Sequence, residues 1–184
     1  MAVTSTMIAL GTPAPDFSLP DVASGAAVSL SDFTGDGLLV MFICNHCPYV
    51  RHLQQGLVDL SRDYEDSSLD MVGIASNDPA MYPDDAPERL AETANRLGYR
   101  FPLLFDETQD VARAYSAVCT PDFFLFDRDH LLVYRGQFDS SRPGNGLPVS
   151  GDDLRAAIDA LLAGRPIDSE QRPSMGCSIK WRES

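Results

Sequence analysis

Two cysteines separated by two residues, Cys44-Asn45-His46-Cys47, with Pro48 directly after them, are the part of this sequence best equipped for chemistry. Thiols at that spacing can close to a disulfide and reopen, and the thiolate is the form that attacks. The flanking residues say where the pair must stand. Leu38 to Ile43 (LLVMFI) is a continuous apolar run of strand length. From Pro48 onward Val50, Leu53, Leu57, Leu60 and Tyr64 recur at spacings of 3, 4, 3 and 4, which is one face of a helix. Proline is favoured in the first helical turn, where its missing N–H is not needed. Cys47 is therefore expected at the N-cap, among unpaired N–H groups and the positive end of the helix dipole. This placement favours thiolate over thiol, and the motif reads as a redox-active dithiol.

The same residue types allow a metal reading. C-x-x-C is also half of a common zinc site, but a closed tetrahedral site needs two more ligands. The remaining candidates are Cys119, Cys177, His46, His52 and His130; they contain no second close pair, and His46 lies inside the dithiol loop itself. Thiolate and imidazole would suit copper(I) or zinc, so a metallochaperone stands as one alternative. Haem attachment through C-x-x-C-H is excluded, because Pro48 occupies the histidine place. No nucleotide, flavin or phosphate-loop motif appears, so no cofactor is expected and electrons are expected from another thiol protein.

At 184 residues the chain is long enough for one domain with a full core and too short for two comfortable ones. We expect a single domain over residues 1–184, with its core at about 10–164 and a tail at 165–184. Its net charge of −13 argues against nucleic acid or an anionic membrane surface as a partner. The N-terminus has no positive start or long apolar stretch, so no secretory signal is expected, and no apolar run approaches the roughly 20 residues of a bilayer span. Four cysteines do not make a disulfide scaffold. The expectation is a cytoplasmic protein with reduced resting thiols. Lys180 is the only lysine among fourteen basic residues, which we read as compositional bias.

Residues 1–9 read as a loose leader, and Gly11 to Asp36 as a hairpin-like entry (Phe17, Leu19; Val28, Leu30). Leu69 to Ala75 is a second buried strand. A proline- and aspartate-rich loop follows, in which Asp84, Asp85 and Glu88 read as helix-start residues. A helix runs from near Pro87 to Gly98. Phe101 to Phe105 is a short strand and Thr108 to Val118 a helix. The strand Phe123 to Phe126 turns through Asp127 to His130 into Leu131 to Tyr134. After a polar loop, Asp152 or Asp153 is expected to cap a helix ending at Gly164. The last twenty residues show no clear periodicity. The pattern makes an α/β sandwich with a mixed central sheet flanked by helices.

Over roughly residues 10–164 the chain resembles the thioredoxin fold, and more closely the AhpC/TSA-type redoxins that include peroxiredoxins. Gly11 to Phe17 (GTPAPDF), the strand and C-x-x-C helix, and Thr120-Pro121 before a strand carry the resemblance. Phe42 to Val50 (FICNHCPYV) and the ending Gly176-Cys177 to Trp181 look like a peroxiredoxin-like group with a thioredoxin-type dithiol. The resemblance implies a cis-proline at Pro121, presenting the backbone of Thr120 as an edge for an incoming substrate. It implies a thiol–disulfide oxidoreductase in which Cys44 attacks a protein or small-molecule disulfide and Cys47 resolves it. A peroxidase with Cys47 attacking peroxide is the alternative. Its expected helpers are replaced here, since Cys44 stands where a hydroxyl would be and Pro121 where an arginine would be. An imidazolium at His46 would stabilise the thiolate and make the couple more oxidising. Asn45, His46 and Thr120 are candidates for shaping the site, and Cys119 and Cys177 for accessory thiols, Cys177 by folding over the site in a relay. Redoxins often dimerise, so a homodimer is a further expectation.

Overall fold

The strand before the dithiol forms the middle of the molecule. In this computed structural model, which describes residues 2–182, β4 (Gly37–Phe42) is buried along its whole length. Both of its faces are covered, which is why it reads as an unbroken apolar run. It pairs in parallel with β5 (Leu69–Ala75) and antiparallel with β8 (Asp122–Asp127). With β6 (Leu103–Phe105) and β9 (Leu132–Gly136) the sheet order is β6-β5-β4-β8-β9.

Alternation along β4 divides the core in two. Leu39, Met41 and Ile43 face α1 (Pro48–Asp63), α4 (Asp152–Leu162) and Leu90 of α2 (Pro87–Leu97). Leu38, Val40 and Phe42 face Phe17, Tyr115 and Val111 of α3 (Asp110–Ala114). Helix α1 buries Val50, Leu53, Leu57 and Leu60, a gross contribution of about 6–12 kcal/mol at ~1.5–3 per side chain. That packing fixes the start of α1, and hence the dithiol, against the end of β4. The entry hairpin also forms, as β2 (Ser18–Pro20) with β3 (Ala27–Ser29).

Both chain ends differ from expectation. The presumed leader contains β1 (Ala2–Thr4) and the aperiodic tail contains β10 (Met175–Ser178). With β7 (Cys119–Thr120) they build a second, antiparallel sheet in the order β1-β10-β7. Strands this short carry no period of their own, and their partners lie at the far end of the chain, so no local pattern announces them. The expected helix over Thr108 to Val118 shrinks to α3. Its entry at Gln109 and the turn after it at Ser116 both have positive φ, and Asp106 takes the N–H groups of Val111 and Ala112. Neither Asp152 nor Asp153 caps α4. The N-cap is Gly151 at φ 72°, a left-handed conformation glycine adopts without a Cβ penalty, and Asp139 accepts its N–H. Among the described residues no helix is long and apolar enough to cross a membrane.

Candidate active site

The N-cap placement of the second cysteine holds. Cys47 has extended backbone (φ −72°, ψ 123°) and Pro48 opens α1. Cys44 and Cys47 come together at the end of β4, with Thr120 across from both. The hydroxyl of Thr120 lies 3.1 Å from Cys44 Sγ, and its carbonyl oxygen lies 3.2 Å from Cys47 Sγ. The Thr120–Pro121 peptide is cis, as the resemblance implied. The edge it should present is not open, however. β10 pairs with it, Cys177 opposite Thr120 and Ser178 opposite Cys119. The two dithiol residues are 3% and 0% exposed, and Cys177 is half-buried above them.

The two thiols are pushed in opposite directions. Burial raises the pKa of Cys44 most, and the neighbouring Cys47 and the charge of Asp85 add to it. The Cys44 thiol beside it pulls Cys47 down, burial opposes, and the thiol and N–H of Cys177 and the N–H of Val50 reinforce the lowering. Cys47 makes no side-chain bond of cap geometry, so these are polar neighbours around the helix start, not a closed cap. As a thiol Cys47 donates to the Thr120 carbonyl; on ionising it gives up that one acceptor and keeps the surrounding donors.

Asp85 is the residue that reading by position missed. It does stand in the first turn of a short helix, as its place in the sequence suggests, yet it is fully buried and works as the hub of the dithiol loop. Its Oδ1 accepts the N–H groups of Asn45 and His46, at 2.7 and 3.1 Å. Its Oδ2 meets His46 Nδ1 at 2.5 Å and accepts from Asn77 Nδ2 at 2.9 Å. Burial pushes this carboxyl up, but the His46 contacts and the amide donors outweigh it and hold the pKa below the ordinary value. His46 therefore turns inward to Asp85, with the Tyr82 ring tilted against it, the two centroids 4.3 Å apart. The signal available in the sequence was the histidine itself, an imidazole inside a buried loop that needs a partner.

The other nominated residues divide. Asn45 ties the loop to the carbonyls of Asp84 and Arg89, a positioning role. Cys119 is buried, its Sγ bonds the Pro121 carbonyl at 3.7 Å, and burial raises its pKa strongly. Cys44, His46 and Asp85 offer one potential metal-ligand atom each within 4.8 Å of one another. His46 Nδ1 is already bonded to Asp85 Oδ2 and Cys44 Sγ faces the Thr120 hydroxyl, so the ring atom left without a partner is the buried His46 Nε2. Arg135, fully buried, is bonded through Nη2 to Asp122 and the Ser116 carbonyl and lies over the Phe124 ring.

Comparison with known proteins bears on the whole arrangement. The model of the AhpC/TSA family matches residues 10–135. The thiol-disulfide oxidoreductase ResA of Geobacillus kaustophilus is 28% identical over 124 residues, 67% of each chain. Peroxiredoxin Bcp of Escherichia coli is 33% identical over 107 residues, 58% of this chain and 63% of Bcp. A crystal structure of an uncharacterised conserved protein from Geobacillus kaustophilus superposes with a TM-score of 0.98 at 55% identity, over 100% of this chain and 98% of the other. The thioredoxin domain of a thiol-disulfide oxidoreductase from Bacteroides vulgatus, 23% identical, superposes with a TM-score of 0.66 over 85% of this chain and 99% of its own, which shows a thioredoxin-like fold. Neither curated relative is named for carrying metal.

Proposed function

The chain belongs to the AhpC/TSA family, and from that premise we propose that it is a thiol–disulfide oxidoreductase whose working groups are Cys44 and Cys47. The observation that carries this reading is the meeting of two thiols at the start of α1, with Thr120 of the cis Thr120–Pro121 peptide against both sulfurs. The Cys47 thiolate attacks a disulfide R–S–S–R′, forming Cys47–S–S–R and releasing R′S⁻. Cys44 then attacks Cys47 Sγ, its proton passing to the departing RS⁻, and the Cys44–Cys47 disulfide remains. This order reverses the thioredoxin-type assignment expected from the resemblance, because here the second cysteine is the one the helix start and its neighbours stabilise as thiolate. Thr120 lies against both sulfurs, and Asn45, His46 and Pro121 fix the loop around them. A protein or small-molecule disulfide is the substrate, a thiol protein the electron donor, and a cytoplasm that keeps thiols reduced the setting.

The test is to mix reduced protein with glutathione disulfide and map the product by mass. Loss of two hydrogens localised to Cys44–Cys47 supports the reading. Thiols that persist, or a glutathione adduct that never resolves, sink it.

A second reading, reduction of peroxide, is favoured by the same polarity of Cys47 and by the likeness to Bcp. Against it stand Pro121 and Cys44, which occupy the places that the resemblance assigns to an arginine and a hydroxyl. Oxidation by hydrogen peroxide no faster than for an ordinary thiol, in a protein that exchanges readily with disulfides, rejects the peroxidase.

A further inference from the structure

The structure places a third sulfur where the two-cysteine scheme has no use for one. We propose that Cys177 is a working thiol, presented by β10 in the position of an incoming cysteine-bearing strand, and that it closes a disulfide with Cys47. This rests on the dithiol reading above and adds a residue to it.

Position is the first argument. β10 runs antiparallel to β7 with Cys177 directly opposite Thr120, the residue that touches both Cys44 Sγ and Cys47 Sγ. Residues so paired hold their Cβ atoms about 4.5–5.5 Å apart, and Cys177 packs against the apolar cluster that contains Cys44 and Cys47. Its thiol and N–H are among the groups that lower Cys47.

The second argument is how firmly the strand is held there. Ser174 Oγ donates to the Pro121 carbonyl at 2.6 Å, Ile179 N–H to the Val118 carbonyl at 3.0 Å, and Lys180 N–H to Asn77 Oδ1 at 2.8 Å. Asn77 in turn bonds Asp85, so the tail and the dithiol loop share one network. Gly176 permits the approach, since a Cβ there would stand 1.9 Å from the Thr120 carbonyl oxygen.

Cys177 is also the accessible member of the trio. Cys44 and Cys47 are buried, whereas Cys177 is half-buried, so solvent meets it first. Cys119 offers no such route, being buried and directed at the Pro121 carbonyl.

The chemistry balances with the substrate disulfide as oxidant. Once Cys47–S–S–R has formed, Cys177 Sγ attacks Cys47 Sγ. The bond to R breaks, RS⁻ leaves with the proton of Cys177, and a Cys47–Cys177 disulfide results. Attack by Cys44 on Cys47 then displaces Cys177 as a thiol and leaves the Cys44–Cys47 disulfide. The net reaction remains one substrate disulfide reduced and one protein disulfide formed.

The experiment isolates the step by removing Cys44. Reduced Cys44→Ser is treated with glutathione disulfide, quenched in acid and mapped by mass, beside Cys44→Ser/Cys177→Ser, with Cys44→Ala as a second background should the serine perturb folding. The single variant is expected to lose two hydrogens at Cys47–Cys177 and to retain at least tenfold less glutathione than the double variant, which keeps the adduct on Cys47. Glutathione retained on Cys47 to the same extent in both, or a link from Cys47 to Cys119, overturns the proposal. A wild-type chain that forms Cys44–Cys47 while Cys44→Ser keeps its adduct removes Cys177 alone from the scheme. A wild type that does not react at all removes the reading beneath it as well.

Discussion

Replacing Gly176 by alanine tests whether β10 controls access to the dithiol. The added methyl group would sit 1.9 Å from the Thr120 carbonyl oxygen and 2.5 Å from its carbon, both backbone atoms that cannot swing aside. Carbon–oxygen contacts settle near 3.3 Å or more, so the strands must part by about 1.4 Å. A backbone hydrogen bond of ~2.9 Å stretched by that amount is no longer one. The β10–β7 ladder spans two register pairs, so losing about two bonds at ~1 kcal/mol each costs about 2 kcal/mol. At ~1.4 kcal/mol per tenfold, the strand-open population grows about 30-fold. The assay is alkylation of the reduced protein with iodoacetamide, resolved by mass at Cys44 and Cys47. Where opening is fast relative to labelling, the labelling rate follows the open population, so Gly176→Ala is expected to label about 30-fold faster. A rate within about threefold of wild type would refute the claim that this strand is the cover.

Three further outcomes follow from the same geometry. Burial lifts Cys44 most and the Asp85 charge adds to it, so Asp85→Asn should move the pH profile of Cys44 alkylation to lower pH, and an unmoved profile would mean that the charge is not felt. In the reduced protein the folded-state pKa of Cys47 is lowered to about 4, below the ordinary value of a cysteine thiol. Its stabilisation is therefore complete above that value and lost as pH falls toward the folded value, by up to about 1.4 kcal/mol per unit. Urea denaturation should show the gap between wild type and Cys47→Ser widening from about pH 6 to about pH 9, and a constant gap rejects it. Arg135 and Asp122 are both fully buried, and burial lifts Asp122 to about 7 even with the guanidinium beside it. Arg135→Met should cost about 3–5 kcal/mol, most of it recovered in Arg135→Met/Asp122→Leu, as measured by denaturant midpoint; no recovery would mean the loss is packing and not the stranded carboxyl.

What could be read beforehand was whatever the chain states locally. The run Leu38 to Ile43 and the 3-4-3-4 pattern after Pro48 specify a strand and an amphipathic helix within a few residues of each other, so the N-cap position of Cys47 followed. Leu69 to Ala75 matched β5 to the residue, because a strand covered on both faces is a plain apolar block. Asp85 was opaque, since its meaning lies in His46 and Asn45, forty residues earlier, which the fold alone brings to it. β1 and β10 were opaque for the same reason, each being too short to show a period and defined by its partner. The unlike surroundings of Cys44 and Cys47 depend on three sulfurs and a buried carboxylate converging, and linear spacing holds no record of that.

Among the described residues β1 pairs with β10 alone. The first strand of the sequence must therefore wait for residues 175–178 before it has a partner, whereas β4, β5 and α1, which carry and position Cys44 and Cys47, meet within residues 37–75. Contacts between sequence-distant segments form late, because loop closure must come first. Covering the dithiol is thus a long-range step of its own: β10 must reach from residue 177 back to Thr120, whereas the two sulfurs share a segment of four residues.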